Sequence, residues 1–269
     1  MNKIKKLFRA IGLILGKPYL LNKVLDDESV WRQKVKRLLQ DQNLPEVKFA
    51  ALSDHDEWSV NPFSFMEGGS LPTDLALLKT LASKFKSCRY FEIGTWRGES
   101  VANVAGVAAE CVTLNLPAST MREAGLTEEY INQHGMFSKG ISNIVHVEAD
   151  SAVFDFSELI KKFDLIFIDG DHHFDSIRRD TENVFKHLVH DRSIVVWHDY
   201  AWQPGNIRYE TLAAILEGVS AEKHKSLYAV RNTLCAIYYP RKIEAAEPSV
   251  VANKKEAFEL DIRFNENSH

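Results

Sequence analysis

Three aspartates and three histidines stand in two short runs, Asp169-Gly170-Asp171-His172-His173 and His198-Asp199. Carboxylates and imidazoles are the side chains that move protons near neutral pH, and together they also bind divalent cations. Oxygen-rich sets favour magnesium, whereas each imidazole makes manganese, iron or zinc more compatible. A third run, Gly94-Thr95-Trp96-Arg97-Gly98-Glu99-Ser100, offers a different service. Gly94 lets the chain turn sharply, Gly98 lets backbone come close to a ligand, and a helix starting here presents free N–H groups to a carboxylate. The spacing is GxxxG, not the GxGxxG of dinucleotide sites. The bland alternatives are a tight structural turn for the glycines, and helix capping or simple surface exposure for His172 and His173.

These runs gain meaning from the elements that carry them. Short apolar stretches at 89–93, 111–116, 143–148, 164–169 and 193–197 read as buried strands, and helical patterns fill the longer gaps. That alternation predicts a parallel sheet with helices on both faces. The stripe Phe174, Ile177, Thr181, Val184, Phe185 and Leu188 marks the clearest helix, and another covers about 207–217. Strand-like runs at 226–230 and 233–239 are joined only by Arg231 and Asn232, too short for a crossover, so they form an antiparallel hairpin. The expected fold is α/β: a doubly wound, mostly parallel seven-stranded sheet ending in that hairpin, with N-terminal helices. In such sheets ligands sit beyond the carboxyl ends of the strands, where all three runs lie. Thr73 and Asp74 are expected to cap a helix bearing Leu75, Leu78, Leu81 and Ala82. The chain divides into a helical and loop region at 1–72, a main domain at 73–240 and a tail at 241–269.

At this point the sequence resembles the class I S-adenosylmethionine-dependent methyltransferases, in the branch of macrocin-type sugar O-methyltransferases and cephalosporin-hydroxylase-like proteins. The matching stretches are Phe91 to Ser100, Glu148-Ala149-Asp150-Ser151, Phe163 to His173 and Val195 to Tyr200. The resemblance implies that Glu92, Gly94, Thr95, Gly98 and Ser100 surround the methionine part of the cofactor. Asn115 stands where an acid usually holds the ribose, Asp150 with Ser151 would receive the adenine, and Asp169 would also border the cofactor. Trp96 can face a sulfonium as a cation-π partner or pack in its loop. The resemblance further implies a metal set of Asp169, His198 and Asp199, with Asp171 as base and His172 as a second catalytic candidate. Magnesium or another divalent cation would lower the pKa of an acceptor hydroxyl. The implied reaction is O-methylation of a sugar or other small polar metabolite. Rivals are a metal-dependent hydrolase and a non-catalytic binding module on the same fold; a nicotinamide oxidoreductase is disfavoured by GxxxG, Asn115 and the hairpin. Selectivity is expected in the loop 61–69 and the long connection 117–140.

The composition bounds the rest. The 269 residues hold 33 Lys plus Arg against 37 Asp plus Glu, a net charge of −4, which disfavours nucleic acid as partner. Three scattered cysteines, Cys88, Cys111 and Cys235, read as buried small hydrophobes of a cytoplasmic protein. No apolar run reaches the roughly 18 residues of a membrane span. Residues 1–25 carry Lys3, Lys5, Lys6, Arg9, Lys17 and Lys23 without an acid. They predict either a helix docked on the protein body, the favoured reading, or weak peripheral contact with the inner membrane surface. A homo-oligomer is compatible with the sequence.

Overall fold

The computed structural model describes residues 3–17, 28–39, 43–246 and 258–263. In chain order the helices that matter are α1 (Lys3–Gly16), α2 (Glu28–Leu38), α3 (Phe49–Leu52), α4 (Pro72–Ser83), α5 (Glu99–Ala105), α6 (Ala118–Glu123), α7 (Glu128–Gln133), α8 (Phe174–His187) and α9 (Tyr209–Gly218). The strands are β1 (Glu46–Val47), β2 (Arg89–Ile93), β3 (Glu110–Asn115), β4 (Ile144–Glu148), β5 (Leu165–Ile168), β6 (Ile194–Trp197), β7 (Ala201–Gln203), β8 (Asn206–Ile207), β9 (Leu227–Val230) and β10 (Ala236–Tyr238).

The main sheet runs β1-β9-β10-β6-β5-β2-β3-β4. It is parallel except at β10, which lies antiparallel to both β6 and β9, as the hairpin argument requires. The sheet has eight strands rather than seven, because Glu46 and Val47 pair with Ala229 and Val230. A two-residue strand is too short to leave a periodic signal in sequence. A separate two-stranded ribbon, β7 with β8, was likewise not anticipated.

Strands β5 and β6 are buried along their whole length, the signature of a parallel sheet covered on both faces. Successive residues alternate between the two halves of the core. Phe91, Ile93, Ile166, Ile168, Val195 and Trp197 meet α8, α9 and Val35 of α2. Tyr90, Leu165, Phe167, Ile194 and Val196 meet α4 and α5. Trp197 is wholly buried and donates from Nε1 to Thr181 Oγ1 of α8 at 2.9 Å, so its one polar atom is satisfied. Trp31 of α2 stacks on Phe174 at 4.9 Å, which fastens the N-terminal region to α8. Leu44, Val47, Phe49 and Leu52 are buried in the same core, so residues 44–52 are continuous with the main domain.

Helix α4 begins two residues earlier than the Thr73 cap implied, with Leu71 at the cap and Pro72 as its first residue. Asp74 accepts the Leu71 N–H at 2.8 Å, while Thr73 Oγ1 instead donates to the Asn232 carbonyl. The three cysteines are buried and free. Helix α1 departs from expectation: none of its residues is buried, so it does not dock on the described body. Among the described residues no helix is long and apolar enough to cross a membrane.

Candidate active site

The order of the sheet reverses between β2 and β5: β3 and β4 lie to one side, β6 and the hairpin to the other. Chains leaving neighbouring strands in opposite directions open a crevice there. A cleft of about 980 Å³ occupies it. Its floor holds Gly94 after β2, Asn115 at the end of β3, Asp150 and Ser151 after β4, and Asp169, Asp171 and His172 after β5. Met66, Glu67 and Gly68 wall one side, and Met121, Leu126, Tyr130, Gln133 and His134 another. Both loops expected to carry selectivity therefore line the cleft.

Gly94 has a φ of +98°, and a Cβ on it would stand 1.9 Å from the Asp169 carbonyl oxygen. Only glycine lets the two strand ends meet this closely. Trp96, at φ +43°, also lines the cleft, tilted against Tyr130 at 4.4 Å and edge-on to His134 at 4.9 Å. Its Nε1 is buried without a hydrogen-bond partner, an unspent donor beside the cleft. The turn is braced from outside: Gly135 N–H donates to the Trp96 carbonyl at 2.7 Å, and Phe137 N–H to that of Arg97 at 2.9 Å.

Four expected cofactor residues do not open onto the cleft. Glu92 lies inside the sheet, accepting from Tyr90 Oη at 2.7 Å, Ser100 Oγ at 2.8 Å and Thr113 Oγ1 at 2.7 Å. Burial raises its carboxyl to about 7 despite these three donors. Ser100 and Thr95 belong to this buried network, Thr95 by bonding Thr113. Gly98, at φ +83°, faces protein: a Cβ there would lie 2.2 Å from Ser138 Oγ. The strand-end network thus stiffens the turn that carries Gly94 and Trp96.

The metal set is also rearranged. His198 is buried, with Nε2 3.2 Å from Asp74 Oδ2 and Nδ1 3.2 Å from Asp169 Oδ1 and 3.3 Å from Asp199 Oδ1. Burial pulls its pKa down, but the surrounding carboxylates outweigh burial and hold it well above its ordinary 6.5. With both ring nitrogens within 3.3 Å of carboxylates, His198 ties the strand ends to α4. The ligand atoms that do converge belong to Asp169, His172 and Asp199, all within 4.8 Å of one another. His172 Nδ1 lies 3.1 Å from Asp199 Oδ2. Asp199 sits at φ +51°, a strained setting for a non-glycine residue. Burial would raise its carboxyl, yet His198, His172 and the Arg208 guanidinium together pull it below the usual range.

Asp171 has a different partner set. It accepts from Ser176 Oγ at 2.8 Å and pairs with the exposed His173 at 2.5 Å, holding the first turn of α8 at the cleft rim. Asp150 accepts the Ala152 N–H at 2.8 Å, and the short helical turn that follows at Phe156–Leu159 is capped by Asp155, not by Asp150. Sequence reasoning missed Asp74, 124 residues from His198, and Asp180, which is buried and takes the Ser151 hydroxyl at 3.3 Å. Burial raises Asp180 to about 6. It also missed Arg97, whose buried guanidinium bonds Glu99 at 3.1 Å and the Glu67 carbonyl at 2.8 Å, pinning the loop that walls the cleft. A buried arginine is invisible to composition, because cations are normally read as surface.

A family model described as "Methyltransferase domain" matches residues 91–200, which hold β2 to β6 and the whole cleft floor. Among curated proteins, an uncharacterised protein of Acanthamoeba polyphaga mimivirus is 27% identical over 159 residues, covering 52% of this chain and 66% of that one. Among solved structures, an O-methyltransferase from Bacillus cereus in complex with SAH is 16% identical, with a TM-score of 0.44 and coverage of 82% and 96% of the two chains. A SAH-bound methyltransferase from Podospora anserina is 17% identical, with a TM-score of 0.43 and coverage of 80% and 97%. The YcgJ protein of Bacillus subtilis is 22% identical at a TM-score of 0.35, and the chain spans only half of its length. Residues 91–200, with the strands and the cleft floor they carry, are therefore similar to a methyltransferase domain.

Proposed function

We propose that the protein methylates a hydroxyl oxygen of a sugar or other small polar molecule. The observation that carries this reading is the 3.1 Å contact between His172, which lines the cleft, and Asp199. A carboxylate on one ring nitrogen fixes the imidazole and leaves the other nitrogen to take a proton. The bound cofactor supplies an electrophilic methyl group on a sulfonium. Its fit is supported by Asn115 and Asp150, which offer hydrogen-bonding oxygens on the cleft floor, and by the unspent Trp96 Nε1. With that donor bound, the acceptor oxygen would take the methyl group as its bond to sulfur is released, and His172 Nε2 would take the hydroxyl proton. Asp199 orients the ring and stabilises it once charged. Glu67, Gln133, His134 and Arg179 provide polar walls, and Trp96 with Tyr130 an aromatic surface, a combination suited to a polyhydroxylated ring.

The convergence of Asp169, His172 and Asp199 supports a second version, in which these residues hold a divalent cation and Asp171 takes the proton. One experiment separates the versions: transfer of labelled methyl from S-adenosylmethionine to a panel of sugars and nucleotide sugars, with and without EDTA. Turnover indifferent to EDTA, and reduced roughly 100- to 10,000-fold in His172→Asn, supports the histidine base. Loss with EDTA and recovery with added cation supports the metal version. A His172→Asn protein as active as wild type contradicts both.

A further inference from the structure

We propose that α1 is a binding surface for an anionic lipid bilayer, lying in the plane of the membrane interface. This inference is independent of the proposed reaction. Along the 14 residues of α1 the side chains segregate by the 3.6-residue period. Leu7, Ile11 and Leu15 recur every four residues, with Phe8 beside them and Ile4 and Ile14 on the same face. Lys3, Lys5, Lys6 and Arg9 lie on the rest of the circumference with Leu13 among them, and Lys17 follows the helix; five of the chain's 33 cations and none of its 37 acids lie in residues 3–17.

Leu7, Phe8, Ile11 and Leu15 are 59%, 69%, 45% and 78% exposed, and no residue of the helix is buried. A lone 14-residue helix with Gly12 in its middle is marginal in water, so an apolar medium must cover this stripe for the helix to persist. Charge selects that medium. A protein partner would need a matching acidic groove, and a second copy of α1 would bring like charges together. An anionic headgroup layer offers negative charge along the whole polar face and hydrocarbon beneath the apolar one. The Lys and Arg stems can reach up to the phosphates while Leu7, Phe8 and Ile11 enter the acyl boundary.

The test is flotation of the full chain with vesicles of phosphatidylcholine alone or with about one-third phosphatidylglycerol, at low and high salt. The chain should float with the anionic vesicles and lose binding as salt screens the surface. Each cation removed should weaken binding about fivefold. Lys5→Glu with Arg9→Glu should therefore reduce it more than 25-fold, and Phe8→Glu with Ile11→Glu should abolish it. Thermal unfolding of each variant should match wild type, since these residues touch no core. No flotation with anionic vesicles, or equal flotation with neutral ones, overturns the proposal. A dimer in solution that dissociates in the Phe8→Glu, Ile11→Glu variant without any vesicle binding also overturns it, in favour of a second copy as the occupant.

Discussion

Glu92→Gln should make the protein relatively more stable as pH rises. Glu92 is wholly buried, and burial lifts its carboxyl from an ordinary 4.5 to about 7. Between these values the unfolded chain has released the proton and the folded chain still holds it. The folded state then binds more protons, so stability falls as pH rises. The acidic side is thus where Glu92 costs nothing, and the penalty is complete above the folded pKa. A separation of roughly two and a half units corresponds to about 3 kcal/mol, at 1.36 kcal/mol per unit. Glutamine keeps the shape and an acceptor oxygen for Tyr90 and Ser100, turns its amide N–H toward the Thr113 hydroxyl, and cannot ionise. Urea unfolding of both proteins at pH 5, 6, 7 and 8 reads the effect as a difference, in which groups remote from Glu92 cancel. The difference in unfolding free energy should shift by about 2–3 kcal/mol toward the variant from pH 5 to pH 8. A flat difference would refute a raised carboxyl. A shift toward wild type would mean that the three hydroxyl donors overcome burial.

Asp74 accepts the Leu71 and Leu234 N–H groups and the Cys235 thiol and faces His198, so Asp74→Ala strands these donors and leaves the buried His198 without that carboxylate. It should cost about 3–5 kcal/mol in guanidinium unfolding. Gly98→Ala places a methyl against Ser138 at a positive φ and should cost about 2–4 kcal/mol, seen in the same assay; an unchanged midpoint would show that the 135–138 loop yields freely. Asp150→Asn retains an acceptor for the Ala152 N–H, so it should leave unfolding unchanged while weakening S-adenosylmethionine about tenfold in calorimetry.

The sheet was legible because its central strands are buried on both faces and leave uninterrupted apolar runs. The hairpin was legible because two linking residues permit no other connection. What the sequence could not tell was the direction of each side chain at the strand ends. His198 follows β6 and resembles a ligand by type, but its ring turns inward to Asp74, a partner on a helix 124 residues earlier. His172, left open between cap and catalyst, is the imidazole that lines the cleft and pairs with Asp199. Glu92 and Gly98 lie within the matching motifs yet serve the turn from behind. For α1, spacing alone is the same whether a helix packs on its own body or on something else, and only its exposure in the fold distinguishes them.

The central claim is that the cleft at the carboxyl ends of β2 to β5 binds S-adenosylmethionine. Calorimetric titration of the purified chain with S-adenosylmethionine, S-adenosylhomocysteine and NAD, each with and without EDTA, tests it most directly. The account predicts one-site binding of the first two, unaffected by EDTA if the floor acts without metal, and no heat with NAD. Absence of binding by both sulfur ligands, or saturable binding of NAD, would contradict it.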